Sequence, residues 1–296
     1  MSNTNSKTKK AQRTNRTILA IIGVIVLALA GGWLGASLQG GGGGAAAASG
    51  GASANGAWIE KIKAQGELRV GIASAPPMTA EQPDGKMGGP NIVPLQKLAD
   101  EMGVKFTPVA AEWSKMVSGL QADRFDVAAY LDSTSERSLA IQFTDPVYTY
   151  EGVFIVRADS GLTSVDDIVA SGQPVALASG TSYEPAIEGL GVELLTTESI
   201  PNAVTAMGAG RAVAAFADLP TLADAAQKDP SLKIVVPDPP IFVQDSNYGV
   251  NADIDARSLQ VLNIAIQTAK NDGSLKRAFE EAGIVEVDTL GDLQMQ

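Results

Sequence analysis

Short apolar segments alternate with segments of helical periodicity through most of this chain. Residues 68–72 have the apolar character of a buried strand, and residues 105–109 and 126–130 are predicted to be strands as well. Residues 92–102 and 113–121 lie between them and have helical spacing. Strands that alternate with helices of about ten residues favour a mainly parallel sheet with helices on both faces. The alternation returns in the second half of the 296-residue chain, so we predict an α/β fold of two lobes.

The first 56 residues form three zones of different composition. Residues 1–16 contain five basic side chains and no acidic one, residues 17–38 are apolar and uncharged, and residues 39–56 are almost entirely Gly, Ala and Ser. The apolar zone is long enough to cross a hydrocarbon core of about 30 Å as a helix, with its basic end on the cytoplasmic side. We therefore predict a cytoplasmic tail, a transmembrane anchor or signal segment, and a flexible linker.

A cleaved secretory signal peptide is the alternative for this region. Small residues near positions 45–48 would suit a signal peptidase. Both interpretations export the rest of the chain. The body is expected on the extracytoplasmic side of the cell membrane, or free outside or in the periplasm if the segment is cleaved.

The exported body is acidic and lacks two side chains that are common in catalysis. After residue 56 it has 17 basic and 33 acidic residues, a net charge of −16, which repels nucleic acid and anionic lipid. The sequence contains no Cys and no His, which excludes Ser-His and Cys-His catalysis and removes the usual zinc ligands. Neighbouring acids such as Asp166 and Asp167 are typical of solvated faces. We expect no metal, no cofactor and no enzymatic activity.

Polar residues follow the strand predicted at residues 126–130. Asp132 and Thr134 come directly after it, and Arg137 lies three residues further on. Open α/β sheets bind ligands at the carboxyl ends of their strands, where hydroxyl groups and a guanidinium suit a small carboxylate. The alternative is a helix capped by Ser133 or Thr134, with Arg137 on the surface.

Two further strand ends offer complementary chemistry. Gly180 and Thr181 follow an apolar strand and are predicted to open a helix whose free N–H groups attract an anion. Asp218 ends another strand and suits an ammonium group, so with Arg137 these residues would form a trap for a zwitterion. Thr181 as an ordinary helix cap and Asp218 as a turn residue are the alternatives. Trp113 is either an aromatic wall for the ligand or a core side chain.

Short motifs occur in order between about residues 66 and 282. They are Gly66-Glu67-Leu68-Arg69-Val70-Gly71, Pro76-Pro77, Asp84-Gly85-Lys86, Trp113 with Leu120-Gln121, Phe125-Asp126-Val127, Thr134-Ser135-Glu136-Arg137, Phe143-Thr144-Asp145-Pro146, Gly180-Thr181, Gly210-Arg211 with Asp218, and Asn271-Asp272-Gly273-Ser274-Leu275. The ordered set resembles the extracellular solute-binding proteins, family 3, of polar amino acid ABC transporters. No single motif carries the resemblance.

The resemblance implies a fold and a set of ligand contacts. The fold is that of the type II periplasmic binding proteins, with lobe 1 formed by residues 57–150 and 248–296 and lobe 2 by residues 151–247. Two crossing strands would serve as hinges near residues 147–153 and 243–248. In the family, the position of Arg137 binds the α-carboxylate of the ligand, that of Thr181 assists it, and that of Asp218 binds the α-ammonium.

The sequence departs from the family at several ligand-facing positions. Ala73 or Ser74 stands where an acidic residue usually follows the first strand, Met78 replaces an aromatic residue, and Asn91 replaces an Asp. Asp132 stands where the family usually has Ser or Thr beside the ligand carboxylate. Either Asp132 points away, or it pairs with Arg137, or the ligand presents a cation to it.

The expected function is capture of a small polar solute, an amino acid or a derivative, for an ABC transporter. The expected partners are this solute, the permease subunits and the membrane, with the body monomeric and without nucleic acid. A ligand-sensing ectodomain or adaptor is one alternative. A dehydratase or lyase of the same fold is another, and Asp132 is the one carboxylate whose position suits that chemistry.

Overall fold

The computed structural model describes residues 55–284. The α-helices are α1 (Ala57–Gln65), α2 (Val93–Met102), α3 (Met116–Gln121), α4 (Ser135–Ser138), α5 (Val165–Ala170), α6 (Glu184–Glu188), α7 (Ile200–Gly208), α8 (Leu219–Lys228), α9 (Ala256–Asn271) and α10 (Ser274–Glu281). Short 3₁₀ helices span Pro90–Ile92, Trp113–Lys115 and Ala158–Ser160. The strands are β1 (Glu67–Ile72), β2 (Ala80–Glu81), β3 (Met87–Gly88), β4 (Lys105–Ala110), β5 (Val127–Asp132), β6 (Ile141–Phe143), β7 (Tyr148–Arg157), β8 (Val175–Ala178), β9 (Leu194–Thr197), β10 (Ala214–Asp218), β11 (Leu232–Val235) and β12 (Val243–Asn251).

Several predictions from sequence fall outside the described residues. They are the basic tail, the anchor or signal segment, nearly all of the linker, and the last twelve residues assigned to lobe 1. Within residues 55–284, no helix combines the length and apolar character needed to span a bilayer.

The main sheet has one parallel group of strands in each lobe. Its order is β4-β1-β5-β12-β7-β10-β8-β9, with β6 beside β12 and β11 beside β7. In the first lobe β4, β1 and β5 are mutually parallel, and in the second lobe β10, β8 and β9 are mutually parallel. The predicted α/β architecture with two lobes is therefore confirmed.

Two long antiparallel strands connect the lobes. The amino-terminal part of β7 pairs with the amino-terminal part of β12, from Tyr148 opposite Ser246 to Glu151 opposite Val243. The rest of β7 pairs with β10 and β11 in the second lobe, whereas the rest of β12 pairs with β5 and β6 in the first. Because each strand belongs to both lobes, the cleft between the lobes is bounded on one side by this pair of strands.

The central strands are buried along their whole length and end in acidic residues. All six residues of β5 and all five of β10 are buried. Their apolar residues are covered on both faces, as expected for parallel strands in an α/β fold. The last residues, Asp132 and Asp218, are 8% and 2% exposed. Burying a carboxylate is costly unless it is hydrogen-bonded or paired, so these two strand ends mark a special environment.

The structure corrects three local predictions. The helix expected to open at residues 180–182 begins at Glu184, with Pro185 in its first turn. Strand β9 was not predicted, because its residues are only partly buried and give no strong apolar signal. The helix predicted at residues 113–121 is split into a 3₁₀ turn and α3.

Candidate functional site

Three strands lead into the same cleft. β5 ends at Asp132, β10 ends at Asp218, and β8 is followed closely by Gly180. The residues that line the enclosed cavity are Trp113, Tyr130, Asp132, Arg137, Tyr150, Thr181, Tyr183, Ile200 and Asp218. Its volume is about 10 Å³, which is space for a single water molecule. The lobes must therefore separate before a larger ligand enters.

Arg137 reaches from the first lobe to the second. The Thr134 hydroxyl caps α4 and accepts a hydrogen bond from the Arg137 backbone N–H at 3.2 Å. Nη1 of Arg137 donates to the Asp132 carbonyl oxygen at 2.9 Å, and Nη2 donates to the Gly180 carbonyl oxygen at 2.7 Å. A guanidinium has five N–H groups, so donors remain for a ligand carboxylate. Within residues 55–284, Arg137 forms no ion pair.

The Asp132 carboxylate faces the cleft and is bound by two hydroxyl groups. Oδ2 accepts a hydrogen bond from the Tyr150 hydroxyl at 2.8 Å and another from the Ser182 hydroxyl. Burial raises the pKa of Asp132, while the Ser182 hydrogen bond, the charge of Arg137 and the Tyr150 hydrogen bond oppose that rise. The side chain therefore faces the cleft, and it forms no ion pair with Arg137.

Asp218 is the second buried carboxylate of the cleft. It caps α8, and its Oδ1 accepts a hydrogen bond from the Thr221 backbone N–H at 2.9 Å. Burial raises its pKa to about 6, and the charge of Asp132 adds to the rise. Hydrogen bonding to Thr221 and the nearby Tyr130 hydroxyl oppose it. Asp218 therefore caps a helix, which is close to the alternative interpretation of Asp218 as a turn residue. It also lines the cleft, where its carboxylate can accept an ammonium group.

Gly180 and Thr181 form a tight turn against the first lobe. Gly180 has φ +79°, and a Cβ placed there would lie 2.5 Å from Cα of Ser114. The Gly180 N–H donates to the Glu184 carboxylate, and the Thr181 hydroxyl donates to the Ala178 carbonyl oxygen at 2.8 Å. The Gly180 N–H is therefore occupied within the turn, contrary to the prediction of free helix N–H groups at this point. Gly is required here because a side chain would collide with the backbone of the other lobe.

Aromatic rings surround the two carboxylates. The ring centroids of Trp113 and Tyr130 lie 6.1 Å apart, as do those of Tyr130 and Tyr150. The Trp113 Nε1 and the hydroxyl groups of Tyr130 and Tyr183 are buried without a hydrogen bond of normal geometry to any described residue. The Trp113 side chain is 8% exposed and lines the cavity. It therefore belongs both to the core and to the wall of the cleft.

Sequence reasoning missed three residues of the site. Tyr130, Tyr150 and Ile200 were not singled out, although each lines the cavity. Ser182 was named with Gly180 and Thr181 as the start of an anion-binding helix, but its hydrogen bond to Asp132 was not anticipated. Tyr130 lies two residues before Asp132 and therefore on the same face of β5, a period-two signal that was available. It also has φ +53°, a strained conformation for a residue other than Gly. Tyr150 reaches the site because β7 crosses between the lobes, and Ser182 reaches it because the lobes are closed. Neither arrangement can be inferred from a local sequence pattern.

Of the predicted site residues, the structure brings most to one cavity. The lining residues include Trp113, Asp132, Arg137, Thr181 and Asp218. Gly180 lies beside the cavity, where its carbonyl oxygen accepts a hydrogen bond from Arg137. Thr134 is not among the lining residues and acts through the cap of α4. No group of acidic side chains within residues 55–284 is arranged to hold a metal ion. A zwitterion could pair its carboxylate with Arg137 and its ammonium group with one of the two Asp side chains. The other Asp carboxylate would then have no cationic partner in the ligand.

Comparison with known proteins identifies related sequences. Residues 68–282 match the family described as bacterial extracellular solute-binding proteins, family 3. The L-cystine-binding protein TcyJ of Escherichia coli (strain K12) is 26% identical over 272 residues, which cover 88% of this chain and 94% of that protein. The ABC transporter arginine-binding protein 1 of the same strain is 25% identical over 215 residues, 71% of this chain and 87% of that protein.

A solved structure has the same fold. It is an ancestral amino acid-binding protein described as a precursor of cyclohexadienyl dehydratase. The TM-score is 0.68 at 26% identity, and the match covers 75% of this chain and 98% of the other. The predicted two-lobed binding-protein fold is confirmed by this match.

Proposed function

We propose, from the premise that this chain belongs to the bacterial extracellular solute-binding proteins of family 3, that its solute is an amino acid with an additional positive charge. The observation that carries the proposal is the charge of the cleft. Asp132 and Asp218 are buried there, and among the residues that the structure describes Arg137 is the one cation that lines the same cavity. A basic amino acid would bring one negative and two positive groups, which complement this set.

The three charged residues can be matched to the three charges of such a ligand. Arg137 retains N–H groups for the α-carboxylate, and Asp218, which lines the same cavity, would bind the α-ammonium. Asp132 then binds the additional cation. Trp113 and Tyr130 would flank that cation, because the faces of aromatic rings attract guanidinium and ammonium groups.

The relatives are consistent with this charge pattern. One is named for arginine, which has a guanidinium side chain, and the other is named for cystine, which has two ammonium groups. Both ligands present two cations, but cystine also presents two carboxylates, so of the two it is arginine that matches one negative and two positive groups. The specific solute of this chain is a proposal that rests on Asp132, which stands where the sequence pattern of the family usually has a hydroxyl residue.

A thermal-shift screen of the full chain tests the proposal. L-arginine, L-lysine and L-cystine are compared with L-glutamine and glycine betaine as ligands without a basic side chain. A ligand present at a thousand times its Kd stabilises the folded state by about 4 kcal/mol, which is readily measured as a rise in Tm. We expect the basic amino acids to give the largest rise. Stabilisation by L-glutamine but not by L-arginine would contradict the assignment of a second cation.

Binding without chemical change is part of the proposal. The relation to a dehydratase precursor, together with a buried Asp218 whose pKa is about 6, supports a second candidate, an enzyme that uses this carboxyl as a general acid. Mass spectrometry of the ligand after prolonged incubation with the protein separates the two. We expect the ligand to be recovered unchanged, and accumulation of a product of altered mass would favour the enzyme.

Delivery and location follow from the family and from the amino-terminal sequence. We propose that residues 17–38 anchor the protein in the membrane, that the body is a monomer outside it, and that it hands its ligand to permease subunits. Presentation of the bound ligand to a signalling partner remains the alternative. Membrane fractionation of cells that produce the full chain tests the anchor, since a cleaved signal would leave the protein free of membranes.

The lobe boundaries predicted from sequence are retained as a proposal. Lobe 1 would comprise residues 57–150 and 248–296, and lobe 2 residues 151–247, with hinges near residues 147–153 and 243–248. The pairing of β7 with β12 supports these positions, because the paired residues 148–151 and 243–246 belong to the crossing strands. Small-angle scattering should report a smaller radius of gyration on addition of L-arginine, and an unchanged radius at saturation would count against hinged lobes.

A further inference from the structure

Asp132 is hydrogen-bonded to side chains from two other parts of the molecule. Asp132 itself ends β5 of the first lobe, Tyr150 belongs to the crossing strand β7, and Ser182 belongs to the second lobe. We propose that Tyr150 and Ser182 are positioning residues, and that the Ser182–Asp132 hydrogen bond is a latch that holds the two lobes closed. This inference rests on the proposed function only in the identity of the ligand used to test it.

The two hydroxyl groups contribute in different ways. An ionised carboxylate accepts hydrogen bonds and donates none, so both Tyr150 and Ser182 act as donors to the same oxygen of Asp132. Tyr150 lies on a strand that pairs with residues 243–246 of β12, next to β5, and therefore orients the carboxylate whether or not the second lobe is near. Ser182 reaches Asp132 only when the second lobe is closed against the first.

Contacts beside the latch fix how far closure proceeds. Nη2 of Arg137 donates to the Gly180 carbonyl oxygen at 2.7 Å, and the Gly180 Cα approaches Ser114 so closely that no Cβ fits. These contacts are made by backbone atoms or a long side chain and remain when the Ser182 hydroxyl is removed. The latch is therefore separable from the closed packing, because Ser182→Ala deletes a donor without filling or emptying the space around Gly180.

The mechanism predicts a specific kinetic signature. A bond that exists only in the closed form opposes opening, so its loss raises the dissociation rate of the ligand. Because the ligand-free lobes then open more readily, the association rate does not fall. Hydrogen bonds to charged groups are the stronger class. We expect Ser182→Ala to raise the dissociation rate of L-arginine about tenfold, which corresponds to about 1.4 kcal/mol. Ser182→Thr, which restores the hydroxyl group, should dissociate within threefold of wild type.

The experiment uses the full chain with two fluorescent labels. Because the sequence contains no Cys, Asp100→Cys in the first lobe and Glu188→Cys in the second provide unique and exposed attachment sites. Energy transfer between the labels reports the separation of the lobes with and without L-arginine. Ser171→Ala is the matched control, since it removes a hydroxyl group near the start of β8, at the opposite end of that strand from Gly180.

Distinct results support or overturn the latch. Support requires that ligand-free Ser182→Ala shifts towards greater lobe separation than wild type and Ser171→Ala, and that Ser182→Thr reverses the shift. An unchanged separation in Ser182→Ala, or a fall in Tm with no change in separation or dissociation rate, overturns it. If L-arginine fails to bind wild type, the proposed function fails while the ligand-free separation still decides the latch.

Tyr150→Phe tests the orienting role separately. This variant keeps the aromatic ring between Tyr130 and Phe242 and removes only the hydroxyl group that binds Asp132. We expect weaker L-arginine binding, about fivefold or more, with the ligand-free lobe separation within error of wild type. A separation as large as that of Ser182→Ala would overturn the division of roles between the two hydroxyl groups.

Discussion

Two buried carboxylates at opposite ends of β5 have opposite environments. Asp126, just before the strand, accepts hydrogen bonds from Gln65 Nε2 at 2.9 Å and from Arg69 backbone N at 2.9 Å, Nε at 3.0 Å and Nη2 at 2.7 Å. Its hydrogen bond raises the pKa of Arg69 above the ordinary value. Asp132, at the other end, accepts two hydroxyl groups and forms no ion pair within residues 55–284.

The two carboxylates differ in whether the described part of the chain supplies a cationic partner. Asp126 is neutralised by a cation of its own lobe, so its interactions are complete in the folded chain. Burial raises the pKa of Asp132 and of Asp218, and neither carboxylate forms an ion pair with any residue that the structure describes. Such groups destabilise the folded chain unless a cation compensates them, and under the proposed function that cation belongs to the ligand. Substitutions of Asp126, on one side, and of Arg137, Asp218 and Asp132, on the other, should therefore have different effects on folding and on binding.

Asp126→Ala should give the largest loss of stability. Removal of the buried carboxylate leaves Arg69 with the exposed Asp123 as its remaining ion-pair partner among the described residues. It also leaves Gln65 Nε2 and the Arg69 backbone N–H without their acceptor, at a cost of about 3 kcal/mol. Chemical denaturation of the full chain measures the free energy of unfolding. The control is Asp123→Asn, which removes the charge of a more exposed carboxylate that also contacts Arg69 and keeps a side chain that tolerates the φ of +54° at this position. It should cost less than about 1 kcal/mol. Equal losses for the two variants would show that Asp126 is not a special structural residue.

Arg137→Ala should affect binding rather than folding. If the guanidinium holds the ligand carboxylate in the desolvated cleft, its loss should cost about 2–5 kcal/mol, or roughly 30- to 4000-fold in affinity. Calorimetry with L-arginine measures this loss, and Arg124→Ala serves as a control for removal of an exposed guanidinium from the same lobe. A change of less than threefold would mean that the carboxylate site lies elsewhere.

Asp218→Asn should stabilise the ligand-free protein while it weakens binding. The folded pKa of about 6 exceeds the ordinary value of 3.8, so wild type loses stability as the pH rises through this interval and keeps the deficit at pH 7. The Asn side chain can still cap α8 but carries no charge. We expect the free energy of unfolding at pH 7 to rise by about 2 kcal/mol, with L-arginine affinity reduced at least about tenfold.

The pH dependence provides the control for this prediction. The stability difference between Asp218→Asn and wild type should be small near pH 4, where the folded wild-type carboxyl is protonated, and should grow up to about pH 7. Asp166→Asn, which neutralises an exposed carboxylate of the second lobe, should show no such growth. A difference that does not vary between pH 4 and pH 7 would contradict a charged and costly Asp218.

The fold and the ends of its strands were predictable because they depend on local apolar patterns. The runs before Asp132, Gly180 and Asp218 are continuous and apolar, and parallel strands bring their carboxyl ends to one edge. The polar residue at the end of each run was therefore expected at a common cleft. The sheet order explains why these strand ends meet at one cleft, because β7 and β12 lie between the two parallel groups of strands.

The rest of the site depends on contacts between segments distant in the chain. Ser182 meets Asp132 across 50 residues of sequence, and the strained conformation of Tyr130 arises beside an irregular pairing of β5 with β12. Neither is encoded by a local period or motif. The start of α6 was also misplaced, because the Gly180 turn is held by the Glu184 carboxylate rather than by the beginning of a helix.

Asp132→Ser gives the sharpest test of the difference between the two carboxylates, because alternative ligands predict opposite signs. If the ligand has no second cation, Asp132 repels its carboxylate, and the Ser side chain should tighten the binding of neutral amino acids. If Asp132 binds a cationic side chain, the same change leaves that cation unpaired and weakens L-arginine binding by about 2 kcal/mol. We expect the second outcome.

Loss of the Ser182 latch would weaken both ligand classes alike, so the quantity to measure is the ratio of L-arginine to L-glutamine affinity. Calorimetry on wild type, Asp132→Ser and the exposed control Asp145→Ser provides this ratio. If this ratio falls about thirtyfold in Asp132→Ser and does not fall in Asp145→Ser, Asp132 binds a cation of the ligand. An unchanged or increased ratio refutes it, and Asp132 would then be reserved for the latch and not for the ligand.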